Sequence, residues 1–447
     1  MKVLLINDST TNPNWGDRAA ATSLMAMIRG TGGEITHAVS EDHLRQSTFG
    51  NDRTHSPSPE GGSESRAREI AKLCTPPILI RMRRKMLTPP PEGIGPGRLI
   101  PETWEDFEQC ARVVLREQRY AWPDLLSAID SADVAVIHGD GAMVGNGTIP
   151  RTHLFLTYLV KKHFRKPIII VNHTADFDHP NLRSMARNVY PLFDDVVFRD
   201  PTSVERCASF CTGRFAPDTA FWFEPASRQD WVPLVGRPTY FDIWPNRAQF
   251  DPSEPYLCIG GSSLLWTPAW KPAEMVRDFV TLVRHVRSAY SGQIVLTASD
   301  PAEQLIFEPI AVELDLPLVG VTTPLQQAVD IVGNADAYIS GRWHPAIFAL
   351  RGGVPVIALS AKTFKMQALM RSAGLPETTF DALDLAGNRD SIVRMLLDHL
   401  QAGSELRNRL RTWAAEESVN GWDNVAFLRE YTRGRVSAGP GEEHCAQ

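Results

Sequence analysis

No apolar stretch in this 447-residue sequence approaches the roughly 20 residues that a membrane-spanning helix requires. The amino terminus, Met1-Lys2-Val3-Leu4-Leu5-Ile6-Asn7-Asp8, meets polar residues too early for a secretion signal and reads as a first β-strand. The expectation is a cytoplasmic protein, at most touching the inner face of a membrane. Cysteine is scarce, six in all, and the C-x-x-x-C of Cys207 and Cys211 has no second pair to complete a zinc site. A disulfide framework is therefore excluded, and reduced, structural thiols are expected. Basic charge is not in excess either. The net charge of −6 has the wrong sign for a whole-protein nucleic-acid binder, although it leaves room for a local basic site. Internal repeats of the solenoid kind are missing too.

What is present is the alternation of short β-branched runs with helical patterns, the signature of parallel α/β sheets. The chain is too long for one core, so two domains are expected. The first spans 1–224, with strands at Lys2–Asn7, Glu34–Val39, Val134–His138, Pro167–Asn172 and Val196–Phe198. It is interrupted over 40–101 by a polar stretch rich in Pro, Gly, Ser and Arg, which buries too little surface to fold well alone. Within it, Ile78–Leu87 mixes Ile and Met with Arg81, Arg83, Arg84 and Lys85. That segment reads either as a contact for anionic lipid or a phosphorylated acceptor, or as a solvated basic face. Six prolines over 225–255 mark a linker. A second α/β domain runs over 256–431, turning at Gly260-Gly261-Ser262-Ser263, and a loose polar tail covers 432–447.

Ligands of open α/β sheets bind beyond the carboxyl ends of the strands. Four such ends carry unusual residues. In Ser340-Gly341-Arg342-Trp343-His344-Pro345, Pro345 suits the first turn of a helix, so Arg342 and His344 lead into a helix N-terminus. Free amides, the helix dipole, an arginine and a histidine together favour a carboxylate or phosphate. Asn14-Trp15-Gly16-Asp17 follows the first strand; its glycine permits close approach to a ligand, while Asp17 either serves the ligand or caps the helix. His138-Gly139-Asp140-Gly141 is dense enough in glycine for a loop, and His138 or Asp140 can take a proton from a hydroxyl. Arg199-Asp200, ahead of Ser203, offers a cation to the cleft or a structural ion pair.

Taken in order, these segments resemble the polysaccharide pyruvyl transferase family. The matching residues are Asn14-x-Gly16-Asp17, Gly139-Asp140-Gly141, Arg199-Asp200-x-x-Ser203, Pro217-Asp218-Thr219-Ala220-Phe221, and Gly341-Arg342-Trp343-His344 through Gly353-Val354-Pro355-Val356, with Lys365 downstream. Asp140 stands where the family usually has glycine, and the long basic insertion is atypical of compact members. The resemblance implies a GT-B-like pair of Rossmann-type, doubly wound parallel-sheet domains facing across a cleft. It implies phosphoenolpyruvate as donor, held by Arg342, Arg199, His344 and Lys365 with help from the amides of Gly260 and Gly261. It also implies a sugar or lipid-linked oligosaccharide acceptor on the amino-terminal side, near Asn14, Gly16, Asp17, Gly139, Asp140, Gly141 and His173. His344 is the expected acid, with Asp17, Asp140 and His138 the pool of bases. No metal or cofactor is expected, no nucleic acid, and a homo-oligomer is left open. The rival readings are a GT-B glycosyltransferase using a nucleotide sugar, with Glu416 or Glu417 on the ribose, and a non-catalytic sugar-phosphate binder.

Overall fold

A computed structural model describes residues 1–47, 99–116, 122–236, 240–241, 244–246, 250–266 and 271–437. The basic segment 78–87 and most of the 40–101 insertion lie outside the described residues. The edges of the insertion do belong to the fold: Glu41–Ser47 is helical, and Leu99 and Ile100 are buried.

Two parallel sheets organise the chain. The first is built from β1 (Lys2–Ile6), β2 (Glu34–Val39), β3 (Val134–Val144), β4 (Ile168–Asp176), β5 (Asp195–Phe198) and β6 (Arg214–Phe215), in the order β2-β1-β3-β4-β5-β6. The second contains β7 (Tyr256–Ser262), β8 (Gln293–Thr297), β9 (Leu318–Val319), β10 (Tyr338–Gly341) and β11 (Val356–Ala358), in the order β11-β10-β7-β8-β9. Helices cover both faces, so alternate residues of one strand enter different cores. Leu4 and Ile6 join one cluster while Val3 and Leu5 join another; Tyr256 and Cys258 separate likewise from Leu257 and Ile259. The order of winding reverses between β1 and β3 in the first sheet and between β7 and β10 in the second. Such reversals open a crevice past the strand ends, where ligands of these folds sit.

Four sequence expectations change. The glycine-rich 139–141 stretch is not a loop: β3 continues to Val144, with Asp140 in the left-handed region at φ 42°. The turn expected at Gly260-Gly261-Ser262-Ser263 comes only at its last residue, since β7 runs on to Ser262 and a 3-10 turn starts at Ser263. Residues 225–255 are more than a linker. Arg228–Val235 is a helix, and Trp231 and Trp244 are buried in the core beneath the second sheet, because two indoles left in water would forfeit their apolar area. Finally, the chain is helical over Ala426–Ser437, so Thr432 does not begin a tail; residues 438–447 lie outside the described residues. The chain also leaves the second domain here: Val425, at the end of the 3-10 turn Gly421–Val425, and Leu428 of the last helix pack with Val3, Leu5 and Leu24 on the first sheet.

The domains are stitched together near the reversals. Trp15 sits wholly buried in the core of the second domain; its backbone N–H donates to Ser299 O (3.1 Å) and its indole to Val321 O (3.3 Å).

Candidate active site

The first contribution comes from the start of the Trp15–Gly30 helix. The Asn14 side chain accepts from the N–H groups of Gly16 (2.8 Å) and Asp17 (3.3 Å), the usual way to satisfy orphan donors at a helix start. This cap turns Gly16 towards the second domain. A Cβ on Gly16 would stand 2.0 Å from His344 Nδ1, so only glycine lets the imidazole lie against this helix.

His344 belongs to the first turn of the Trp343–Arg351 helix, for which Arg342 is the N-cap residue. Its Nε2 reaches into the first domain, 3.4 Å from Asp218 Oδ2, 3.6 Å from Asp140 Oδ1 and 3.3 Å from Arg199 Nη1. Arg199, just past β5, donates from Nη1 to Asp140 and to Asp218 Oδ2 (3.0 Å), and from Nε to Thr174 Oγ1 (3.0 Å). Asp218 Oδ2 also accepts from the Trp343 indole (2.9 Å), over whose ring the Arg199 guanidinium lies at 5.0 Å. Residues from both domains thus share one buried carboxylate. Burial opposes ionisation of Asp218, but His344 and Arg199 outweigh it and hold the carboxyl well below the usual range. Asp140 is held low in the same sense, with Arg199 and His344 overcoming its burial.

Arg342 faces a separate pair of carboxylates. Its Nε donates to Glu303 Oε1 (2.7 Å) and its Nη2 to Asp300 Oδ2 (2.5 Å). Both come from the start of the Pro301–Leu314 helix, which Asp300 caps through the N–H groups of Ala302 and Glu303. Two neighbours remain less committed. Lys365 opens the Lys365–Ser372 helix, is partly buried, and has no ion-pair partner among the described residues. Burial, reinforced by Arg199 and Arg342, brings its ammonium down to about 8. Asp17 is also partly buried, and burial together with the charge of Asp140 raises its carboxyl well above the usual range.

Several expected site residues play other parts. His138 is wholly buried, with Nε2 3.1 Å from Asn172 Nδ2, and burial lowers its pKa; it does not face the cleft as a base would. His173 is a core residue, bonded at Nδ1 to Val197 O (2.9 Å) and at Nε2 to the Tyr190 hydroxyl (3.1 Å), and burial pushes it down to about 3. Gly139 makes room for the His173 Cβ, 2.5 Å from its own missing one. Gly260 and Gly261 make room for the Tyr338 hydroxyl and the Glu303 carboxylate, both at 2.4 Å, and stay within the ladder of β7. Gly141 is different, since Arg199 Nη2 lies 3.6 Å from its Cβ position.

Residue-by-residue reading missed Asp300 and Glu303, and gave Asp218 no role. Asp300-Pro301-Ala302-Glu303 does carry a helix-start signature, but nothing in it announces a distant arginine. Asp17, Asp140 and His344 offer ligand atoms within 4.8 Å of one another, a spacing a metal ion can bridge. The donor set fits one poorly: Asp140 is engaged by Arg199, the Asp17 carboxyl is raised, and Lys365 adds positive charge nearby.

Two Rossmann-type sheets with a polar cleft at both reversals define the GT-B architecture. Solved structures agree on the fold. A Listeria monocytogenes protein described as a UDP-N-acetylglucosamine 2-epimerase aligns over 100% of this chain and 99% of its own, with TM-score 0.54 and 11% identity. The UDP-GlcNAc 2-epimerase of Methanocaldococcus jannaschii aligns over 97% and 100%, with TM-score 0.50 and 11% identity. Curated proteins give no match by sequence. Residues 14–363, well over half of the chain, match the family profile described as polysaccharide pyruvyl transferase. The chain belongs to that family and is a pyruvyl transferase enzyme. Among the described residues, no helix is long and apolar enough to cross a membrane.

Proposed function

We propose that the cleft takes phosphoenolpyruvate as donor and moves its enolpyruvyl unit onto two hydroxyls of a sugar, forming a ketal and releasing phosphate, in surface or exopolysaccharide biosynthesis. One observation carries the choice of donor. Among the described residues, Lys365 is a partly buried cation with no carboxylate in ion-pair contact; Asp17 and Asp140 act on it only from further off, while two flanking arginines, whose own carboxylates leave some of their N–H groups free, make its charge less favourable. Such a lysine is unfavourable unless a ligand supplies negative charge, and a compact molecule bearing both carboxylate and phosphate does so.

In this reading Lys365, Arg199 and Arg342 hold the donor. His344 delivers a proton to the methylene carbon, leaving an oxocarbenium-like centre that the first hydroxyl attacks. The C–O bond to phosphate then breaks, phosphate carries away the electron pair, and the second hydroxyl closes the ketal. Both hydroxyl protons need acceptors. Asp17, with its raised pKa beside the His344 helix, takes the first and passes it to the departing phosphate; the second returns to His344, restoring the acid for the next turnover, and Asp140 orients the imidazole. No metal takes part: chelation is expected to leave turnover intact, and loss of activity restored by a divalent ion would overturn that statement.

A leaving-group assay tests the reading. Incubation with phosphoenolpyruvate and a glycan panel should release inorganic phosphate and add the mass of a pyruvate ketal. Release of nucleotide from a sugar donor instead would favour the glycosyltransferase, and binding of phosphoenolpyruvate without turnover the non-catalytic binder.

A further inference from the structure

Arg342 carries more negative charge around it than donor binding explains. A guanidinium kept only to attract an anion is best left without anionic neighbours. Yet Arg342 is bonded to two buried carboxylates of its own domain, Glu303 and Asp300. Two acids on one cation more than cancel its charge, so their use lies in geometry.

Together the acids occupy one edge of the planar group. Nε and one N–H of Nη2 point to the same side, and each is directed at a different carboxylate. The edge between Nη1 and Nη2 is left over, a pair of parallel N–H groups spaced for two oxygens of a carboxylate or phosphate. Because the side chain is already ordered in the folded protein, little of its freedom remains to be lost when an anion arrives.

Glu303 is itself tightly held. It is wholly buried in the first turn of the Pro301–Leu314 helix, and its Oε2 accepts from Ser299 N (2.8 Å) and Ser299 Oγ (2.7 Å). Oε1 is thereby turned to Arg342 Nε. Gly261 leaves the space for this, since a Cβ there would stand 2.4 Å from Oε1. The same glycine steadies the arginine backbone: its carbonyl accepts from Ser340 Oγ (3.1 Å), which accepts from Arg342 N (3.1 Å). Gly261 thus serves the donor at one remove, through the acid that it admits. Ser299 O receives the N–H of Trp15, so an unbroken series of bonds runs from the first helix of the other domain through Ser299 and Glu303 to Arg342.

Resting on the pyruvyl-transfer reading, we infer that Glu303 is a positioning residue for the donor. It turns Arg342 so that the Nη1–Nη2 edge, and not the Nε edge, meets phosphoenolpyruvate, while Ser299 and Gly261 hold Glu303 to that task. Glu303 itself touches no substrate.

The test uses the full chain and the variants Glu303→Gln, Ser299→Ala and Gly261→Ala. Glu303→Gln keeps the shape, but both neighbours are donors, so its NH2 group leaves either Ser299 or Arg342 without an acceptor. Calorimetric titration with phosphoenolpyruvate, in the absence of acceptor, should show affinity weakened about tenfold or more. Ser299→Ala removes one hydrogen bond and leaves the carboxylate; it should weaken binding about three- to tenfold, and it decides the matter if Glu303→Gln does not fold. Gly261→Ala, which crowds Oε1, should weaken binding in the same direction. With whichever glycan of the panel turns over, KM for phosphoenolpyruvate should rise in the variants while KM for the glycan stays the same. Wild-type donor affinity in Ser299→Ala and in Glu303→Gln overturns the inference, even if the melting temperature falls, because Glu303 then supports only the fold. An equal rise in both KM values also overturns it. A wild-type protein that binds no phosphoenolpyruvate instead sinks the donor reading itself, whereas tight binding that the variants share sinks only the role of Glu303.

Discussion

His344 and Gly16 are best understood together, because the reactive imidazole has its position only while its neighbour lacks a side chain. Gly16→Ala would place a methyl 2.0 Å from Nδ1 and push the ring away from Asp140 and Asp218. We expect kcat to fall about 100-fold, a typical loss for a misplaced general acid, with a stability loss of about 1–3 kcal/mol from the overpacking. Normal turnover by Gly16→Ala would show that the ring's position does not matter. His344→Ala should cut turnover by about 10²–10⁴-fold while phosphoenolpyruvate binding remains measurable; an unchanged rate removes His344 from the mechanism. Arg342→Lys makes a different point. One ammonium cannot reach Glu303 and Asp300 as Nε and Nη2 do, so a buried carboxylate is left unpaired. The expected cost is about 3 kcal/mol of stability, read from urea denaturation, together with lost activity. Lysine that restores both would contradict the bidentate account.

Helix starts and strand ends carry the site, and they were unevenly legible. Asp17 offers itself as the cap of the first helix, but the structure gives that role to Asn14; Asp200 caps its helix, and Asp300, unread in the sequence, caps another. The glycines misled, because dense glycine signals a turn when seen alone. Here Gly139, Gly260 and Gly261 sit in buried strands and admit His173, Tyr338 and Glu303 from neighbouring elements. Periodicity carries no information about such long-range neighbours, and for the same reason it could not place His138 and His173 in the core. The helix beginning at Lys365 yields a pH prediction. In the free enzyme its ammonium sits at about 8, so the cation is present below that pH and is lost above it. The kcat/KM for phosphoenolpyruvate should therefore fall up to tenfold per unit above about pH 8, as affinity for a dianion drops with the charge. Lys365→Arg should remove this break up to about pH 10, since a guanidinium stays charged. A profile flat through pH 9 in the wild type would exclude the lysine from donor binding.

At the scale of the whole molecule, the cleft is fixed by exchanges between domains. Trp15 from the first helix completes the core of the second domain. The chain end returns the exchange: Asn424 is wholly buried, accepts from Asn172 N (3.0 Å) and donates to Pro217 O (2.8 Å), next to Asp218. Asn424→Ala strands two buried backbone groups and should cost about 2–4 kcal/mol in denaturant unfolding. A change below about 0.5 kcal/mol would mean that the returning helix does not brace the site. The two-sheet architecture was readable from alternation of strand and helix. This crossing-back was not, since the last helix resembles any other amphipathic segment until its partner face is known.

The central claim is that a doubly negative donor is gripped between the domains beside the His344 imidazole. An experimental structure with phosphoenolpyruvate soaked in, without acceptor, tests it most directly. We predict phosphate and carboxylate oxygens within hydrogen-bond reach of Lys365, Arg199 and Arg342, and the methylene carbon facing His344 Nε2. A donor bound elsewhere, with none of its oxygens at Lys365, would contradict the account.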